Sequence, residues 1–239
     1  MNILTIDTAT DYELISLSTE HGVFEFNENV KMSHSITMFD SIKGILDKAS
    51  MELQNIDLIA AGVGPGSFTG VRIAVSTARM IAQILDIPLV GLITQDIFAA
   101  SVENNPDENI LVSFDAKKSR VFGALYRGGQ RCSHECFMDA GDYSIEFMLS
   151  SIPEGSSLLC IGDGCFRYRN IIEEKSALTG VSCRFLENFI PSGASTSCLA
   201  MNKYRQSPDK YIFFGNTVPV YARKSDAEVA RDAKRTKEG

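Results

Sequence analysis

Seven residues constrain this chain more than any others: Gly64-Pro65-Gly66-Ser67-Phe68-Thr69-Gly70. They follow a short apolar run, Leu58 to Val63, which reads as a buried strand. They precede a segment rich in small residues (Ala74, Ser76, Thr77, Ala78, Ala82), which reads as a helix from about Val71 to Leu85. Pro88-Leu89-Val90 then opens another strand. Strand, glycine turn, helix and strand in that order point to an α/β fold. A glycine-rich turn feeding a helix N-terminus has two uses. It can present backbone N–H groups to an anion, or it can simply turn the chain tightly. The turn is not a P-loop, because Gly70-Val71-Arg72 stands where Gly-Lys-Ser/Thr belongs. Nor is it the dinucleotide fingerprint, because Thr69 occupies the third glycine's place. The pattern favours a structural turn.

Ahead of the turn, residues 3–7 read as a buried strand, 12–18 and 23–26 as two more, and a helix runs from a serine cap at Ser33 or Ser35 to about Ser50. Ile36, Phe39, Ile42, Leu46 and Ala49 supply its apolar stripe. Residues 102–109 are polar, carry Pro106 and read as a boundary. Directly after them, Asn109-Ile-Leu-Val-Ser-Phe-Asp115 echoes Asn2-Ile-Leu-Thr-Ile-Asp7, and each leads into a second strand. That repetition predicts two related halves. The expected organisation is a first lobe over 1–103, a second over 104–223 and a charged tail over 224–239. In the second lobe, 158–161 reads as a strand, and 166–175 and 195–204 as helices.

The formal charge of −7 argues against a chain that grips nucleic acid by itself, since phosphate contacts need clustered Lys and Arg. No basic stretch precedes an apolar one at the start, and no run approaches the roughly 18 apolar residues that span a bilayer. A cytoplasmic protein with reduced thiols is the expectation, and the six cysteines are irregularly spaced. Cys132-Ser-His134-Glu-Cys136 lacks the second ligand pair of a zinc site. His21, His34 and His134 form no nucleophile–base pattern. Asp7 ends the first strand, where phosphotransferases of duplicated α/β lobes hold Mg²⁺. The following Thr8-Ala9-Thr10 has no glycine to cradle phosphate, so Asp7 reads as a turn stabiliser.

Together these segments resemble the TsaB (YeaZ) family over residues 1 to about 223. The resemblance rests on Ile6-Asp7-Thr8-Ala9-Thr10, His34-Ser35, the 64–73 segment, Asp115-Ala116-Lys117-Lys118, Gly162-Asp163-Gly164 and Pro219-Val220-Tyr221-Ala222-Arg223. It implies the two-lobe fold of the actin, sugar-kinase and heat-shock-ATPase superfamily, with duplicated ribonuclease-H-like halves. It also implies a non-catalytic subunit that binds the catalytic relative TsaD, together with the ATPase TsaE, for threonylcarbamoylation of the tRNA adenosine beside the anticodon. Such a subunit also pairs with itself and meets tRNA only through the complex. It holds no metal or cofactor alone, and any ATP belongs to the complex interface or the partners. The catalytic relative carries a metal-binding H-x-x-x-H where this chain has Leu92-Ile93-Thr94-Gln95-Asp96. Two histidines one helical turn apart can share a metal, and a leucine cannot. A glycoprotease-like metallopeptidase and a small-molecule kinase are the rival readings, and each lacks its site.

A partner-binding subunit needs exposed apolar surface. Met38 and Ile45 fall off the stripe of the first helix, and Ile73, Met80 and Ile84 fall off that of the second. A helix apolar on two faces usually has two packing partners, which predicts an interface at these five residues.

Overall fold

In the computed structural model, which describes residues 1–30, 34–102, 108–132, 136–139, 149 and 151–221, the chain builds one motif twice. In the first half, β1 (Ile3–Asp7), β2 (Tyr12–Thr19) and β3 (Gly22–Asn29) form an antiparallel meander. Then β4 (Leu58–Gly62) and β5 (Leu89–Leu92) add in parallel, giving the order β3-β2-β1-β4-β5. In the second half, β6 (Asn109–Lys117) and β7 (Arg120–Arg127) pair antiparallel. The short β8 (Gln130–Arg131) and β9 (Cys136–Asp139) flank β7, while β10 (Ser157–Ile161) and β11 (Ser182–Phe185) run parallel beyond β6. The two orders match strand for strand. The two related halves expected from the repeated strand are present, in the ribonuclease-H-like arrangement that the family resemblance implies.

The helices are α1 (His34–Ala49), α2 (Phe68–Leu85), α3 (Thr94–Ala100), α4 (Asp163–Arg167), α5 (Arg169–Leu178), α6 (Gly193–Gln206) and α7 (Pro208–Ile212). The central strands β1 and β4 are buried along their whole length because both faces of the first sheet are covered. Leu4, Ile6, Ile59 and Ala61 point to α1 and α2, while Ile3, Leu58, Ala60 and Val90 share a cluster with Ala200 of α6 and Tyr211 of α7. Thus residues 193–221, assigned from sequence to the second lobe, return to the first sheet. Lys203 Nζ donates to the Gly91 carbonyl at 2.7 Å and Thr217 Oγ1 to that of Leu89 at 3.1 Å, so the returning segment covers β5. The segment also ties to β3, where Gly193 N donates to Glu25 at 2.6 Å. Phe98 and Ala99 of α3 join Leu14 of the first sheet to Phe114, Phe122 and Ile161 of the second. The halves therefore share a core.

Candidate functional site

The glycine turn is closed from inside the protein. Ser67 caps α2, accepting from Gly70 N at 3.2 Å, while Val71 N donates to Ser67 O at 2.9 Å. Ser67 N donates to Ala9 O at 2.7 Å, and Thr8 Oγ1 donates to Gly70 O at 2.7 Å. The carbonyls of Thr8 and Ala9 thus face the turn, and side chains at Gly66 or Gly70 would collide with them. Glycine is required here for close approach of two backbones. The amides of Ser67, Gly70 and Val71 are spent on protein oxygens, and carbonyl oxygens stand where an anion would need donors. The turn is a lock between β1 and α2.

Asp7 is part of the same lock. It is buried; its Oδ1 accepts from Ala9 N at 2.7 Å and its Oδ2 from Thr94 Oγ1 at 2.8 Å. Arg72 turns outward, its guanidinium 3.8 Å from the Phe68 ring centre, and its Nε donates to Tyr221 Oη at 2.8 Å. Phe68 and Tyr221 stack at 4.7 Å. The end of the described chain is therefore pinned beside the turn.

The five residues expected at an interface separate into two groups. Met38 and Ile45 are each 1% exposed and belong to the core, so they are withdrawn from the interface. The cause is Glu13, a fully buried carboxylate on β2 that sequence reading missed. Its two oxygens accept from Thr37 Oγ1 at 2.8 Å and Ser41 Oγ at 2.7 Å. Drawing Thr37 and Ser41 inward sets the roll of α1, so that Met38 and Ile45 face the sheet and Phe39 faces out, 54% exposed. On α2, Val71, Ala74, Val75, Ala78, Ile81 and Ala82 are buried and Ile73 is half-buried against the same cluster. Met80 and Ile84 are 42% and 68% exposed. Both helices cover one face of the first sheet, so Phe39, Met80 and Ile84 project on that same side of the molecule.

The Leu92–Asp96 stretch is largely buried, and the Gln95 side-chain amide has no hydrogen-bond partner among the described residues. Leu92, Thr94 and Gln95 are buried. Asp96 Oδ1 accepts from Tyr126 Oη at 2.6 Å and from Arg131 Nη2 at 2.8 Å. Burial, then the Asp96 charge, pushes the Tyr126 hydroxyl well above its ordinary pKa. Asp96 thus binds the start of α3 to the β7–β8 hairpin. Among the described residues no group of three His, Cys, Asp or Glu is placed to hold a metal. The Cys132–Cys136 segment and the 224–239 tail lie wholly or partly outside the described residues, as do His134 and the side chain of His34. Cys160, Cys165 and Cys183 are free thiols in or beside the second-half core. No described helix is long and apolar enough to cross a membrane.

Residues 27–231 match the sequence model of a family described as "TsaD: tRNA N6-adenosine threonylcarbamoyltransferase". The "tRNA threonylcarbamoyladenosine biosynthesis protein TsaB" of Bacillus subtilis is 27% identical over 230 residues, covering 95% of this chain and 96% of that protein. The protein of the same name from Buchnera aphidicola of Schizaphis graminum is 32% identical over 125 residues, 52% of this chain and 60% of that protein's length. The solved "YeaZ from Pseudomonas aeruginosa" superposes with a TM-score of 0.72 at 20% identity, over 92% of this chain and 99% of that one; it shows a shared fold.

Proposed function

Since the chain belongs to the TsaB (YeaZ) family, within the wider family described by the TsaD threonylcarbamoyltransferase model, we propose that it is the non-catalytic subunit of the machinery for tRNA threonylcarbamoyladenosine biosynthesis. In this reading it works in the cytoplasm by binding the catalytic relative TsaD, in company with TsaE, and reaches tRNA through that complex. It binds no cofactor of its own, and any ATP sits at the complex interface or on a partner. The observation that carries the reading is the outer side of the first half, where Phe39 of α1 and Met80 and Ile84 of α2 leave apolar surface uncovered. Packing both helices against an equivalent pair would bury it in a four-helix contact. The same surface would serve a homodimer. The subunit then acts by favouring an active arrangement of TsaD, a shift of population. The closed Leu92–Asp96 stretch and the locked glycine turn are consistent with a chain whose task is contact.

The test is size-exclusion chromatography with light scattering on this chain mixed with TsaD, with and without TsaE and ATP. A mixed species is expected, and Met80→Glu with Ile84→Glu should abolish it while the melting of the isolated chain is unchanged. An undiminished mixed species in the double variant removes this face from the reading. No mixed species under any condition removes the subunit role.

A further inference from the structure

Between the two halves lies a cavity of about 210 Å³. Asp11, in the β1–β2 turn, and Tyr12, at the start of β2, form one side. Asp163 and Phe166 of α4 form the other, with Phe98 and Phe114 between them. The aromatic wall is ordered by its own packing: Phe98 meets Phe114 edge-on at 4.9 Å, and Phe189 lies 6.1 Å from Phe98. Gly162, at φ +92°, holds the α4 wall close, because a side chain there would strike Ser113 and Phe114.

The chemistry of the lining is one-sided. No lysine, arginine or histidine contributes to it. The basic groups nearby are already engaged by Asp115, with Lys117 Nζ at 2.8 Å and Arg167 Nε at 3.5 Å. Neither Asp11 nor Asp163 forms a salt bridge among the described residues. A phosphate in this space would meet two carboxylates and no counter-charge. A cation would meet those carboxylates together with ring faces whose quadrupoles attract positive charge. The aromatic wall beside the carboxylates, more than the carboxylates alone, makes this a site, since it suits a group that is both charged and partly apolar.

We propose that the cleft between the halves binds a small organic cation, a guanidinium or alkylammonium compound, with its charge against Asp163 and Asp11 and its apolar part against Phe166 and Phe189.

The experiment is calorimetric titration of the full chain with agmatine and with choline, using AMP as an anionic probe of similar bulk. Saturable 1:1 binding of at least one cation is expected. It should weaken at least about tenfold in Asp163→Asn and in Phe166→Ala, as loss of a charge contact or a cation–π face requires. It should be unchanged in Glu20→Gln, a remote exposed acid that controls for the net negative charge. Asp163 also accepts the Asp115 amide at 3.2 Å, which asparagine preserves through its carbonyl oxygen. Should Asp163→Asn melt early, Asp11→Asn on the exposed turn replaces it. No saturable heat from either cation, equal affinity in the cleft variants, or tighter binding of AMP than of agmatine would each overturn the proposal.

Discussion

Replacing Gly70 by alanine sets two effects against each other. Alanine gains up to about 1 kcal/mol over glycine inside a helix. Here, however, the new methyl would run into the Thr8 carbonyl, a backbone atom on a fully buried residue. To make room, the β1–β2 turn must retreat from α2. That breaks the Thr8 Oγ1–Gly70 O bond and the Ser67 N–Ala9 O bond, both 2.7 Å. Leaving buried groups unpaired costs about 1–3 kcal/mol each. Net destabilisation is therefore about 1–5 kcal/mol. Urea unfolding with an unchanged m-value reads it directly. Gly44 in α1 provides the opposite case, since a Cβ there meets nothing within 4 Å. Gly44→Ala should stabilise by about 0.5–1 kcal/mol. A Gly70→Ala variant within about 0.5 kcal/mol of the parent would refute the lock, because scatter of that size is what inert sites give. It would also restore the turn as a candidate anion cradle.

Other expectations follow from the same contacts. Met38→Ala should cost about 2–5 kcal/mol in urea unfolding, as core truncations do, whereas Met80→Ala should stay within about 0.5 kcal/mol in the isolated chain. Equal effects would mean that the assignment of inner and outer faces is wrong. Arg131→Leu removes two hydrogen bonds to Asp96, from Nε and Nη2, and should cost about 1.5–3 kcal/mol, less in proportion to the partial exposure of the pair. Destabilisation no larger than that of Arg184→Leu, a more exposed arginine paired with Glu108, would remove the network from the account. Tyr126 should stay protonated above the pH of about 10 at which a free tyrosine side chain ionises. Its folded pKa is raised, so its contribution to stability is complete below the unfolded value near 10 and fades as pH climbs toward the folded one. Carbon-13 NMR of the tyrosine rings checks this, and a Tyr126 resonance titrating with the exposed rings would contradict it.

The duplicated architecture was legible because its signal is local. The Asn2–Asp7 and Asn109–Asp115 strands carry the same pattern, and each central strand is short, apolar and bounded by turn residues. The glycine turn was legible for the same reason. What escaped depends on residues far apart. Glu13 looks like the polar half of an alternating strand until Thr37 and Ser41 arrive to hydrogen-bond it, and only then does α1 acquire its roll. That roll turns Met38 to the sheet and Phe39 outward, the reverse of the placement that the apolar stripe of α1 predicts. Helix α3 has seven residues and no side-chain cap, so periodicity had little to act on. The return of 193–221 was hidden because α6, with its small and polar residues, shows no strong stripe. It packs through Ala200, Thr196 and Ser197, and small residues announce close approach less clearly than large ones.

That return has a consequence for how the molecule is made. A ribosome emits the first sheet early, yet one of its two faces stays bare until α6 and α7 emerge more than a hundred residues later. Leu58, Ala60 and Val90 must wait, exposed, through the synthesis of the whole second half. Chains halted before α6 should therefore be sticky, chaperone-bound species, and completion of the last segment should act as the latch that turns two partly formed halves into one cooperative unit.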